Sequence, residues 1–258
     1  MLTPEENKAE KLEINDNFSE PKQEKTSKDI SVIKKVLFLL IGIGGLFIFS
    51  LLAGVIATQF HLQTKEEYTG AANFLTYAML FVTLIAVLNV DIKNLKKEFK
   101  HWLPYVVGIG FGIGLIVFSI AYSAIINLFY QSEVNENEET LRSFITIYPF
   151  ISLIFLGVIG PICEELTYRV GLFGVLKKPK WLAYVIGTLV FALAHFSFTS
   201  TNIINELVNL PVYIVSGFAL CLAYDKFGLA ASLTAHTVNN IYSVSMVIFL
   251  HYIQNFVN

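Results

Sequence analysis

The run VLFLLIGIGGLFIFSLLAGVIA, residues 36–57, has no charged side chain anywhere in it. A helix of about 20 apolar residues spans the roughly 30 Å hydrocarbon core of a bilayer, and there every backbone polar group has to be satisfied internally. Six more runs are long and predominantly apolar. The seven spans expected cover approximately 36–60, 71–90, 104–130, 146–175, 181–199, 206–224 and 229–252. The fold class expected is therefore all-α: a multi-pass transmembrane helical bundle of seven spans. The third and fourth runs are long enough to tilt or project, and a break in one long segment would make eight. Hydrophobic residues make up 55% of the 258 and charged residues 15%, against about 25% charged in soluble domains, so the runs are no local exception.

The charges gather outside the runs. Residues 1–35 hold the one long polar stretch, mixing Lys8, Lys11, Lys22 and Lys25 with Glu5, Glu6, Glu10 and Glu13. So few apolar residues cannot offset the entropy of ordering, and a disordered tail is expected. A signal peptide is not, because a short basic region would lead straight into an apolar one. Residues 36–130 then form N-terminal membrane helices, and 131–258 a second group. The loops DIKNLKKEFK (91–100) and LKKPK (176–180) are basic, whereas QSEVNENEETLR (131–142) is acidic and SFTSTN (197–202) uncharged. The positive-inside rule then puts the N-terminus and both basic loops in the cytoplasm of a cell-membrane protein. The series GIGFGIG (108–114) lies inside an apolar run and lacks the strand and acidic residue of a nucleotide-binding turn, so close helix packing is expected of it. Cys163 and Cys221 both lie in apolar segments and read as small buried hydrophobes. Nothing points to nucleic acid. The lipid bilayer is the partner that composition implies.

Few strongly polar groups remain inside the spans, and their spacing is informative. Glu165 and Arg169 are four apart, share a helix face and can pair, which lowers the cost of both. Glu164 is turned about 100° away and has no partner at i+4. It is the carboxylate left over for chemistry. Glu164 lies about fifteen residues before the turn near Lys178 and Pro179, and His195 about sixteen after it. In an antiparallel hairpin both reach nearly the same depth, about 23 Å from the turn. In the last span His236 and Asn240 are four apart and share a face, while Phe191 lies on the face of His195. A single intramembrane histidine reads equally well as a helix–helix hydrogen bond. Three spans each supplying such groups at matching depth point instead to a functional site.

The segments EELTYR (164–169), FALAH (191–195) and HTVNN (236–240) resemble the three motifs of the CPBP family, intramembrane proteases related to the type II CAAX prenyl endopeptidases and also called the Abi family. Its motifs read E-E-x-x-x-R, F-x-x-x-H and H-x-x-x-N, and they occur here in that order over about 75 residues. Where the family more often has Gly after the Arg, this chain has Val170. The resemblance implies that Glu164 is the catalytic carboxylate, with His195, His236 and Asn240 around it and Glu165 and Arg169 as a supporting pair. The activity implied is hydrolysis of a peptide bond in a membrane-associated peptide or protein, such as a CAAX-like tail, a peptide pheromone or a bacteriocin precursor. In one scheme Glu164 is general base, His195 helps to hold the water, and His236 and Asn240 bond the tetrahedral intermediate. In the other, Glu164, His195 and His236 hold a catalytic zinc with an open position. The first is favoured slightly, because no second carboxylate is free to act as base if Glu164 binds the metal. Two readings from other classes stand beside the protease: a proton-coupled transporter, and a non-proteolytic scaffold or bacteriocin self-immunity protein.

Overall fold

The computed structural model describes residues 26–89, 98–176 and 178–257, and among these every regular element is helical. After a short 3₁₀ turn at Ser27–Asp29 come α1 (Val32–Ala57), α2 (Lys65–Leu88), α3 (Leu103–Ile126), α4 (Glu136–Ile147), α5 (Pro149–Phe173), α6 (Lys180–Ala194), α7 (Ile203–Phe227) and α8 (Leu229–Val257). By length and composition five of them, α1, α2, α3, α5 and α7, can cross a membrane. α6 is apolar but only 15 residues long, and α8 runs for 29. Each expected span corresponds to a helix. The chain is an all-α, multi-pass membrane bundle.

Its side chains are arranged for lipid. On α1 the large apolar residues Leu40, Phe47, Leu51 and Val55 face outward, while Gly42, Gly45, Ala53 and Ala57 are buried. Outward apolar groups cost nothing in hydrocarbon, and small inward ones let backbones approach. α1 thereby packs on α2 and on residues 165–173 of α5, and α3 packs on α8. In the glycine-rich run of α3, a Cβ on Gly108 would stand 2.6 Å from the Ala231 carbonyl oxygen, and one on Gly112 would stand 2.9 Å from that of Ala235. A Cβ on Gly110 or Gly114, on the other face, would meet nothing within 4 Å among the described residues.

The two ends of the bundle are tied differently. At one end the Glu98 carboxylate accepts the Ser27 N–H at 2.8 Å and the first N–H of α8, that of Leu229. The sharp turn into α8 is made by Gly228 at φ 87°. Lys28 donates to the Asp225 carbonyl at 2.6 Å and Lys180 pairs with the Asp225 carboxylate at 2.9 Å. At the other end, Glu206, Asn205 and Asn209 of α7 bind the backbone of residues 133–136.

Five segments differ from the sequence expectation or fall outside it. Residues 1–25 of the expected tail, and 90–97 of the basic loop, lie outside the described residues. Residues 26–35 are not a loose tail: Ser27 is buried against Glu98, Ser31 caps α1, and the helix starts at Val32. The acidic loop 131–142 contains α4, because Asn135 accepts the Glu138 N–H, acidic residues fill the first turn, and Glu138 pairs with Arg142 at 2.9 Å. The span expected over 181–199 stops at Ala194, where a Ser/Thr/Asn-rich stretch offers the backbone competing partners.

Candidate active site

The centre of the site is α5, which is not a regular helix. Residues 155–159 and 165–173 widen to i→i+5 bonding: the Gly160 N–H bonds the Phe155 carbonyl, and the Gly174 N–H that of Arg169. Such wide turns are rare and recur at functional sites. The first has a consequence on α8. Pro161 has no N–H to give the carbonyl of Leu156, five residues earlier. Asn240 supplies the missing donor, its Nδ2 lying 3.0 Å from that oxygen. One N–H of the Asn240 amide is thus committed to holding α8 against α5.

The second wide stretch, ELTYRVGLF, is buried along its whole length. Glu165 and Arg169 are fully buried and paired, Nε to Oε2, at 3.4 Å. The guanidinium carbon lies 4.8 Å from the centre of the Phe191 ring, whose face offsets part of the cost of a buried cation. The other Glu165 oxygen lies 3.0 Å from His236 Nδ1. A carboxylate beside a permanently charged arginine only accepts, so the proton sits on Nδ1 and Nε2 is left for other work. That Nε2 lies 3.7 Å from Oε2 of Glu164, too far for a hydrogen bond. Oε2 of Glu164 is buried and has no hydrogen-bond partner among the described residues. Leaving a buried acceptor unmatched costs about 1–3 kcal/mol. The two adjacent glutamates differ in their partners: Glu165 is hydrogen-bonded to an imidazole through one oxygen and ion-paired with an arginine through the other, whereas Oε2 of Glu164 has only the His236 Nε2 at 3.7 Å beside it.

His195 follows the last turn of α6. Its Nδ1 lies 2.9 Å from the Phe191 carbonyl oxygen, which only accepts, so here too Nδ1 carries the proton and Nε2 is free. The ring lies 4.7 Å from that of Phe191. Phe191 also meets His236 and Tyr168 edge-on, each at 5.7 Å, and so stands between the two imidazoles.

Of the residues expected at the site, the structure joins Glu164, Glu165, Arg169 and His236 in one contact network. His195 joins through Phe191, with no bond to Glu164, and Asn240 through the Leu156 carbonyl. Sequence reasoning missed Asn135 and Tyr213, which contact His195 from loop and helix positions outside the motifs. Asn135 did carry a helix-cap signature with Glu138 three residues on, but nothing in the sequence links it to His195. Among the described residues no three His, Cys, Asp or Glu side chains are gathered so as to hold a metal ion. Both histidines hold Nδ1 on a carbonyl or carboxylate oxygen and keep Nε2 open, as a metal-ligating imidazole also does, while His195 reaches Glu164 and His236 only through Phe191.

The comparisons with known proteins bear on the same region. The family model described as type II CAAX prenyl endopeptidase Rce1-like matches residues 146–242, which include all three motifs. A Staphylococcus aureus (strain USA300) protein named "Membrane-embedded CAAX protease MroQ" is 28% identical over 192 residues, covering 67% of this chain and 73% of that protein. The "UPF0177 protein YvdC" of Lactococcus lactis subsp. lactis (strain IL1403) is 24% identical over 210 residues, covering 80% and 77%. No solved structure matches.

Proposed function

We propose that this chain, which belongs through residues 146–242 to the Rce1-like type II CAAX prenyl endopeptidases, is an intramembrane endopeptidase that hydrolyses a membrane-associated peptide or protein with a water activated by Glu164. The observation that carries the reading is the unpartnered Oε2 of Glu164 facing His236 Nε2 at 3.7 Å. One water lying off the line between these atoms can touch both. Glu164 takes its proton as the oxygen adds to the scissile carbonyl carbon, and the proton then passes to the leaving amine as the C–N bond breaks, leaving a carboxylic acid and an amine. Glu165 and Arg169 hold His236 with Nε2 toward Glu164. His195 supplies a second free Nε2 at the same wall of aromatic side chains, and the remaining N–H of Asn240 is available to the tetrahedral oxyanion. No step is routed through a metal.

The orientation follows from charge. Lys28, Lys34, Lys35, Lys100, Lys178, Lys180 and Lys226 belong to the Glu98 end and its loops, against Lys65 and Arg142 toward the other. The positive-inside rule supports a cytoplasmic Glu98 end and a cytoplasmic N-terminus.

The test is to express wild type and Glu164→Gln at matched levels in membranes and compare released peptides by mass spectrometry. Peptides that appear only with wild type, at least 10² more abundant than with the variant, are expected, and chelation of divalent metals should leave their yield unchanged. Identical peptide profiles would leave a membrane scaffold or immunity protein as the better account. Loss of the peptides on chelation, with recovery on adding zinc, would overturn the metal-free scheme.

A further inference from the structure

The orientation of His195 is fixed from outside the three motifs. Asn135, in the connection before α4, is 1% exposed and uses its whole amide. Nδ2 donates to the His195 carbonyl at 3.0 Å and to the Tyr213 hydroxyl at 3.1 Å, while Oδ1 accepts the Glu138 N–H at 2.8 Å. The His195 carbonyl follows the end of α6, where helix carbonyls run out of intrahelical donors. Tyr213, on α7, stacks its ring on the imidazole at 4.7 Å and 20°. With Phe191 on another side, the imidazole is gripped by two rings and by its own Nδ1 bond.

A second layer holds these residues in place. Glu206 is 2% exposed, and its two carboxylate oxygens accept the backbone N–H of Glu136 at 2.9 Å and of Ser197 at 3.0 Å. One carboxylate thus fastens the chain next to Asn135 to the chain just past His195. The Ser197 hydroxyl closes the same junction by donating to Glu136 at 2.7 Å. Asn205 grips the connection a second time, accepting the Glu133 N–H and donating to the Val134 carbonyl, each at 3.0 Å. A carboxylate this buried and fully engaged by backbone donors is expensive to replace.

We propose that Asn135, Tyr213 and Glu206 are positioning residues for His195, holding its imidazole in the Nδ1–H tautomer with Nε2 free. The proposal rests on reading His195 as part of the reacting site. In water a neutral imidazole exchanges between tautomers, and the bond made at one nitrogen decides which is kept. The Phe191 carbonyl makes that choice only while the ring stays where Asn135 and Tyr213 put it.

The test uses the full chain, labelled with ¹⁵N-histidine in detergent micelles, with His195→Gln to identify the His195 signals. Asn135→Asp keeps an oxygen to cap α4 but turns the donor facing the His195 carbonyl into an acceptor. Tyr213→Leu removes the stacked ring, and Tyr213→Phe keeps it. Wild type and Tyr213→Phe are expected to show a single Nδ1–H tautomer at His195. Asn135→Asp and Tyr213→Leu should show averaged ring nitrogens, with the His236 signals unmoved as the check on folding. Peptide release should fall at least tenfold in those two and stay within twofold of wild type in Tyr213→Phe. His195 signals that match wild type in folded Tyr213→Leu would overturn the proposal, as would altered signals with peptide release unchanged. Should Asn135→Asp fail to fold, the two Tyr213 variants alone decide. If wild type and Glu164→Gln release the same peptides, the protease reading fails, and the ring signals still decide whether His195 is positioned.

Discussion

Helices α1 and α5 lie against each other, and both are long and apolar enough to cross a membrane, yet they follow opposite rules. α1 is regular throughout, carries no charge between Val36 and Ala57, and turns its large side chains to lipid. α5 leaves α-helical geometry twice, and it buries Glu165 and Arg169 completely. Of the most apolar 18 residues of each, 22% are buried in α1 and 44% in α5. A span that only anchors satisfies its backbone by regular repetition. A span that carries chemistry has to place charges out of water, and here three of the exceptions meet a partner on another element, Asn240 for the Leu156 carbonyl, His236 for Glu165 and Phe191 for Arg169, while Oε2 of Glu164 is left open.

That contrast can be pushed until it breaks. The largest expected effect on stability is at the buried pair. Arg169→Met leaves the Glu165 carboxylate without its cation and should cost about 3–5 kcal/mol, read as a large fall in thermal unfolding temperature in detergent. A variant that unfolds with wild type would show that α5 does not depend on the pair. Next comes the contact between the two helices. A side chain on Gly42 would run into Thr167, whereas one on Gly44 meets nothing within 4 Å. Gly42→Ala should therefore destabilise by about 1–3 kcal/mol, and Gly44→Ala, two residues away, should not. Equal behaviour of the two glycine variants would mean that α1 does not seat on the wide turn of α5. Smallest is the lipid face of α1, where Leu51 is 60% exposed. Leu51→Ala is expected to move stability by less than about 0.5 kcal/mol, and a larger change would mean that this face is covered by something other than lipid.

The parts of this molecule legible in its sequence were those governed by local rules. The spans could be read because an apolar run of bilayer length admits one structure. The Glu165–Arg169 pair could be read from its spacing, which keeps both residues on one side of either an α or a wider helix. The widening itself could not, since nine mostly apolar residues look alike at i+4 and i+5 bonding. Helix α4 is written in Asn135, Glu138 and Arg142, but residues 131–142, mostly polar and acid-rich between two apolar runs, have the composition of a loop. Depth counting brought His195 level with Glu164, yet the end of α6 at Ala194 turned the ring onto the Phe191 carbonyl. The bond from His236 to Glu165 joins residues 71 apart, and Glu206 fastens chain segments 61 apart; neither leaves a local signal.

The central claim is that two adjacent glutamates divide the work, Glu164 reacting and Glu165 holding. The most direct measurement puts Glu164→Gln and Glu165→Gln side by side in one preparation, reading peptide release and thermal unfolding for each. The account predicts that Glu164→Gln abolishes release and unfolds within a few degrees of wild type, while Glu165→Gln unfolds far earlier. Release that survives in Glu164→Gln, or a Glu165→Gln protein as stable as wild type, would contradict it.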